Sequence, residues 1–188
     1  MVGAILLLVA GLVCATPLAG SATVFELNPA QSHVNFTLTA LLHTVRGTFR
    51  VKRGSLHLDP VHGVVSGVCV VDATSGDTGN RRRDRKMHTE VLASQRYPDI
   101  VFSPLQLRGT VAAQGTSTVQ VDGTFSIAGT SHPLTVSVVV RISEDSFTIS
   151  TDFVVPYVQW GMRDPSTFLL TVGTQVQIHF EANGRIMR

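Results

Sequence analysis

Seven histidines are the side chains of this sequence that most directly suggest metal binding or catalysis. No two of them have HxxxH spacing and no CxxC pair accompanies them, so the sequence lacks the common metal-binding patterns. Solvent exposure explains those that fall on polar strand positions or in predicted turns, which are His33, His57, His62, His132 and His179. His43 and His88 differ. His43 breaks the end of an apolar strand, and His88 follows Asp84 by four residues in a predicted helix, where the two side chains can share a hydrogen bond.

The Asp84–His88 pair is the only grouping that general acid–base catalysis could use. Such catalysis needs a carboxylate or an imidazole that converges on a nucleophile or a metal. The sequence has no GxSxG motif, phosphate-binding loop or dinucleotide fingerprint, and its glycines fit turns and bulges. We therefore predict a non-catalytic protein with no metal and no cofactor. The pair is predicted to satisfy its own polar atoms or to contact a ligand's headgroup.

The pair lies in the only clear helical pattern, within the stretch from Asp77 to Phe102. Side-chain oxygens of Asp77, Thr78 and Asn80 can cap a helix start, and Tyr97-Pro98 ends the pattern. Helical spacing divides the rest into two faces. One face carries Met87, His88, Val91 and Leu92, and the other carries Arg82, Lys86, Thr89 and Ala93.

The remaining sequence alternates apolar and polar residues, as half-buried strands do. Val34, Phe36 and Leu38 share one face of the first clear example, and further runs lead to Phe168–Val172 and Val176–Phe180. Turn signals between the runs are Arg53-Gly54, Glu144-Asp145, Gly173 and Asn183-Gly184. Eight or more strands with one helix predict an all-β fold, an antiparallel eight-stranded lipocalin-like barrel with one inserted α-helix that covers a mouth.

The first 22 residues predict export. An apolar run from Val2 to Val13 is followed by small residues, as in a signal peptide, which leaves one domain over 23–188. Cys14 offers lipoprotein anchoring as an alternative, but Val13 stands where that motif needs a small residue. We expect a periplasmic or secreted protein. A net charge of +2 gives no argument for nucleic acid. One tryptophan and two tyrosines are too few for the aromatic girdles of a membrane-spanning barrel.

Three motifs carry a resemblance to a known family. The first is DTGN from Asp77, with Arg83-Asp84 and then YPDIVF after it; the others are Ser32–Phe49 and Val121–Val138. Together they resemble the YceI-like domain, the polyisoprenoid-binding family of bacterial periplasmic proteins. The resemblance implies a hollow barrel that holds an apolar lipid such as a quinone tail or polyprenyl phosphate, and it suggests a homodimer. The chain departs from the pattern at Lys86, where a histidine is common, and at His88, where an arginine is common.

The candidate ligand-binding residues follow from these patterns. Apolar strand faces predict the wall residues Val34, Phe36, Leu38, Phe125, Ile127, Val136, Val138, Phe147, Ile149 and Phe153, with Trp160 at a mouth. Polar candidates for the ligand's other end are His43, Arg46, Arg83, Asp84 and His88. The sequence leaves open whether these apolar residues surround a cavity or fill a closed core. With a filled core, the alternative function is an interaction module that binds a partner protein through the basic face Arg81–Lys86.

Overall fold

The computed structural model of the protein describes residues 23–39, 44–166 and 171–187. Within these ranges nine strands form one antiparallel sheet. Their bounds are Thr23–Leu27 (β1), His33–Thr39 (β2), Thr44–Asp59 (β3), Val64–Asp77 (β4), Asp99–Arg108 (β5), Gly115–Ile127 (β6), Thr130–Ser143 (β7), Ser146–Val155 (β8) and Val176–Met187 (β9). Most alternate buried and exposed residues, as in β7, so the apolar phase of the sequence faces inward.

The sheet closes into a barrel with eight strand positions. Consecutive strands from β3 to β9 pair as neighbours, and both β1 and β2 lie between β3 and β9. These two short strands are therefore one interrupted strand, with a 3-10 turn at Pro29–Gln31 as the interruption. The prediction of an antiparallel eight-stranded barrel with one inserted helix is confirmed.

Two predicted turns are wrong because their glycines lie inside long strands. Strand β3 continues through Arg53-Gly54, where its pairing with β4 shifts register between Val51 and Arg53. Strand β9 continues through Asn183-Gly184. At Gly184 a Cβ would overlap the backbone oxygen of Glu26 on β1, so glycine here permits close strand approach instead of a turn.

The helix is shorter than predicted. It comprises Arg81–Lys86 (α1), followed by a π-helical turn at Met87–Val91. The amide of Leu92 donates to the Met87 carbonyl at 2.9 Å, and Ala93 then adopts a left-handed φ of +47° that ends the helical segment. The chain leaves the helix before Tyr97-Pro98, and the wider π turn changes which side chains share a face.

Two apolar clusters pack the two ends of the barrel. At the helix end, Leu92 of the helical segment joins wall residues such as Phe125 and Ile127. At the far end, the Phe25 and Phe147 rings meet edge to face, with centroids 5.1 Å apart. In the described ranges, no helix has the length and apolar character needed to cross a membrane. Most of the strand predicted over Phe168–Val172 lies outside the described residues.

Candidate functional site

The barrel encloses a cavity of about 760 Å³ that extends between the two apolar clusters. Every predicted wall residue except Phe147 lies on it: Val34, Phe36, Leu38, Phe125, Ile127, Val136, Val138, Ile149 and Phe153. The structure adds apolar wall residues that were not among the predicted candidates, including Leu56, Cys69, Phe102, Tyr157 and Ile178. The barrel is thus hollow, which answers the question that the sequence left open.

The cavity has the size and lining of a site for an apolar ligand. Ligand sites in proteins typically measure about 300–1,000 Å³ and are mostly apolar. If a methylene group needs about the 30 Å³ that a water molecule occupies in the liquid, the space suits a chain of roughly 25 carbons. Burial of each methylene contributes about 0.8 kcal/mol before ordering costs, so a long chain can supply most of the binding energy.

Polar side chains reach the cavity mainly at the helix end, which we call the mouth. The polar lining side chains at the mouth are Thr78, Asn80, Arg82, Arg83 and Lys86. Asn80 caps α1, because its Oδ1 accepts hydrogen bonds from the amides of Arg82 and Arg83 at 3.1 Å each. The cap fixes the start of the helix and so positions the basic residues beside the cavity. Helical phase had placed Arg82 and Lys86 opposite the apolar face, and the structure corrects this.

The predicted Asp84–His88 hydrogen bond is absent, because Asp84 and Thr78 pair instead. The Thr78 amide donates to Asp84 Oδ1 at 3.0 Å, and the Thr78 hydroxyl donates to the same oxygen. Arg83 donates from Nε to the Thr78 hydroxyl and from Nη2 to the Thr78 carbonyl, both at 2.8 Å. Asp84 therefore ties the loop before the helix to its first turn, and it does not line the cavity.

His88 joins the helical segment to the barrel wall. Its Nε2 lies 2.9 Å from the Gly76 carbonyl oxygen and its Nδ1 lies 3.0 Å from Ser94 Oγ. Since a carbonyl only accepts, Nε2 donates to Gly76, and in the neutral ring Nδ1 accepts from the Ser94 hydroxyl. Both ring nitrogens are occupied and His88 is not among the cavity-lining residues, so of the two roles that the sequence left open the geometry favours the structural one over the headgroup contact.

The remaining candidates lie away from the cavity or outside the described residues. Arg46 is exposed on the outer face of β3, because the alternation that turns Val45 inward turns its neighbour outward. Trp160 stacks on His132, with ring centroids 4.2 Å apart and an interplanar angle of 4°. Phe147 packs in the far-end cluster. His43 lies outside the described residues.

Two wall residues have strongly shifted acidities. Burial raises the pKa of the Cys69 thiol to about 12, because the side chain faces the apolar cavity, where the charged thiolate is poorly solvated. Burial also raises the pKa of Tyr157 to about 12, and the charge of Asp164 adds to this effect. The Tyr157 hydroxyl donates to the Gly173 carbonyl at 2.8 Å. Across the described ranges, no three histidine, cysteine or acidic residues cluster as metal ligands.

Solved structures share this barrel. BcnA from Burkholderia cenocepacia matches with a TM-score of 0.68 at 17% identity, over 84% of this chain and 99% of that chain. A polyisoprenoid binding domain from Saccharophagus degradans, implicated in plant cell wall breakdown, matches with a TM-score of 0.67 at 17% identity, over 88% and 99%. The YCEI protein of Campylobacter jejuni matches with a TM-score of 0.58 at 14% identity, over 70% and 79%. At these low sequence identities, the structural matches show that the fold is shared.

Sequence comparison identifies the family. A search of curated proteins found no match. The family model described as YceI-like domain matches residues 25–183, which is nearly the whole barrel from β1 to β9. The match includes the loop and helix that carry DTGN and Arg83-Asp84, so the motifs and the barrel agree. This chain belongs to the YceI-like domain family.

Proposed function

We propose that this protein binds one long-chain isoprenoid lipid, of the quinone or polyprenyl type, inside its barrel and transports or stores it. The observation that carries the proposal is the hollow, apolar cavity, whose polar lining side chains lie mainly at the mouth. A filled barrel would need no such space. Family membership supports lipid binding at a coarse level, and one solved neighbour is described as a polyisoprenoid binding domain.

The proposal includes no covalent chemistry on the lipid. Catalysis would need an acid, a base or a nucleophile that reaches the ligand. Among the described lining residues, the polar groups at the mouth are Thr78, Asn80 and three cations, and both nitrogens of the nearby His88 are occupied. The raised pKa of Cys69 keeps that thiol protonated and unreactive near neutral pH. Binding alone accounts for these groups.

We further propose that the protein works outside the cytoplasm. The support is the apolar run and small residues of the first 22 positions, which resemble a signal peptide. Measurement of the N-terminal residue of the protein recovered from its cell compartment tests this. Cleavage near Ala22 with export is expected, whereas an intact cytoplasmic chain would refute the localisation without affecting lipid binding.

Native mass spectrometry of the purified protein, followed by organic extraction, tests lipid binding. We expect a mass increment that corresponds to one lipid per chain and a prenyl lipid in the extract. Extracted protein should then take up geranylgeraniol in a fluorescence displacement assay. A protein that carries no lipid and takes up none on addition would contradict the proposed function and turn attention to partner binding through the exposed face of α1.

A further inference from the structure

The cavity ends at a distinct level on two neighbouring strands. Val140 of β7 and Ile149 of β8 are direct partners in the antiparallel pairing, and both line the cavity. The next inward pair toward the far end is Ile142 with Phe147. Both of these side chains are buried, and neither lines the cavity. On this side of the barrel, the Ile142–Phe147 pair therefore forms a solid layer beneath the enclosed space.

Phe147 is the larger side chain of this layer, and its ring is held in place from two sides. It meets the Phe25 ring edge to face, with centroids 5.1 Å apart, and Phe25 itself lines the cavity. On β9, the residue opposite Phe147 is Gly184. A Cβ at Gly184 would lie 2.7 Å from Cε1 of the Phe147 ring, which is closer than side chains tolerate. Because Gly184 has no side chain, the ring has room in the barrel end.

The loop between β5 and β6 borders the cavity on another side of the far end. Val111 of this loop lines the cavity and packs against the far-end cluster. The loop is tied to the turn between β7 and β8, because the Glu144 amide donates to Gln114 Oε1 at 3.1 Å. The aromatic layer and this loop therefore bound the cavity at the end opposite the mouth.

We propose that the Phe147 ring is the floor of the cavity and sets the longest chain that the barrel accepts. This inference rests on the lipid-binding function proposed above, and it names the residue that determines selectivity for chain length. A chain that enters at the mouth gains binding energy from each methylene that it buries, until its end reaches the ring. A longer chain must leave its remaining carbons in water or displace a packed aromatic pair, so further length adds no affinity.

Prenyl alcohols of two to eight isoprene units test the floor, because they share one headgroup and differ only in length. In displacement titrations of the wild type, affinity should rise with each unit up to about five, which matches the roughly 25 carbons that fit the cavity, and then stop rising. The Phe147 ring occupies about the space of one unit, so F147A should extend this limit by one. The first alcohol beyond the wild-type limit should bind F147A about tenfold or more tightly than it binds the wild type.

Two further variants and two controls make the assignment to Phe147 specific. F147L keeps an aliphatic side chain and should extend the limit by less than F147A does, which tests the floor even if F147A does not fold. V140F adds a ring above the floor and should shorten the limit. V70A removes volume from a buried residue that does not line the cavity, and V139F adds a ring on the outer face, so both should keep the wild-type limit. Thermal melts establish which variants are folded.

The outcomes separate the floor from lipid binding itself. A wild-type affinity that rises through all eight units would show an open far end and refute the floor, with lipid binding intact. An unchanged limit in folded F147A or F147L would refute the assignment to Phe147. An extended limit in V70A would refute it too, because the shift would then follow from lost packing anywhere in the barrel. If the wild type binds no alcohol of any length, the lipid-binding function fails as well.

Discussion

At the scale of single residues, neighbouring positions on one strand separate the cavity from the outer surface. Val138 of β7 is 7% exposed and lies on the cavity wall, whereas Val139 is 41% exposed and points outward. The same residue type thus has two different surroundings one position apart. This contrast allows the role of the cavity to be tested with a change of side-chain volume.

Replacement of Val138 by tryptophan should fill part of the cavity and reduce lipid binding. Loss of room for only two methylenes, at about 0.8 kcal/mol each, weakens affinity about tenfold. Because the added ring enters empty space, we expect the free energy of unfolding to change by less than the roughly 1–3 kcal/mol of an overpacked core. Displacement titration and urea unfolding measure both effects. V139W is the control and should bind normally; equal binding by both variants would contradict the assigned wall.

Cys69 reports whether the cavity is closed to solvent. Its pKa of about 12, against an ordinary 9.0, reduces the thiolate at neutral pH on the order of a thousandfold. Alkylation by iodoacetamide should therefore be slow in the folded protein, slower still with lipid bound, and fast in urea. Peptide mapping by mass spectrometry follows Cys69 separately from Cys14. Equal rates in folded and unfolded protein would show that the thiol is accessible.

The raised pKa of the Cys69 thiol also predicts how the free energy of unfolding depends on pH. Below the unfolded pKa of about 9 both states hold the thiol proton, and above it only the unfolded state releases it. Stability should then fall by up to about 1.4 kcal/mol per pH unit as pH rises from 9 toward 10. Urea unfolding measures the slope. C69A should show a smaller slope, and an unchanged slope in that variant would exclude the thiol as its cause.

At the scale of elements, a short helical segment determines the polar mouth. Six α-helical residues, one π turn and left-handed Ala93 bring Arg82, Lys86 and Met87 to the cavity together. The segment is joined to the wall by His88 and to the preceding loop by Asp84. With so few helical hydrogen bonds, it depends on its cap and on these contacts.

Removal of the cap should loosen the mouth and leave the barrel folded. N80A loses the side-chain bonds to the amides of Arg82 and Arg83, a loss of about 1 kcal/mol. We expect a lower free energy of unfolding in urea and faster hydrogen exchange at those two amides, with the strands unaffected. N80D keeps an accepting oxygen and should retain most of the protection. Unchanged exchange in N80A would mean that Asp84 and His88 hold the helix without the cap.

The sequence predicted strands better than it predicted the helix, for identifiable reasons. Alternation is local, so Val136 and Val138 could be assigned to an inner face from their spacing alone. The π turn at Met87–Val91 and the left-handed Ala93 follow from tertiary packing, which sequence spacing does not show. The π turn changes the faces on which the later apolar residues lie relative to Arg82 and Lys86. The prediction that these two cations lie opposite the apolar face was therefore wrong. Gly184 was taken for a turn because its contact with Glu26 joins strands distant in sequence. For the site, the apolar wall was predictable, whereas the mouth depends on how the helix lies across the barrel.

At the scale of the whole molecule, a lipid that binds only the folded barrel should stabilise it. Saturation at about a hundred times Kd adds about 2.7 kcal/mol. For a chain of this length, that corresponds to a melting temperature about 5–10 °C higher. Differential scanning calorimetry of extracted protein, with and without added geranylgeraniol, measures the shift. V138W, whose affinity is about tenfold lower, should show roughly half of this shift at the same ligand concentration, and equal melting temperatures for the wild type in both states would contradict binding within the barrel.

The interrupted first strand has a consequence for how the molecule folds. Barrel closure joins β1 and β2 to β9, and the Asn183 side chain donates to the Gln31 carbonyl across 152 residues of sequence. We expect pairings of such high contact order to form slowly. Until β9 is in place, the edges of β2 and β8 are open to other chains, and the cavity lacks one wall. The lipid space is therefore complete only when β9 has paired with β1 and β2, so we expect a newly made molecule to hold its ligand only after this pairing has formed.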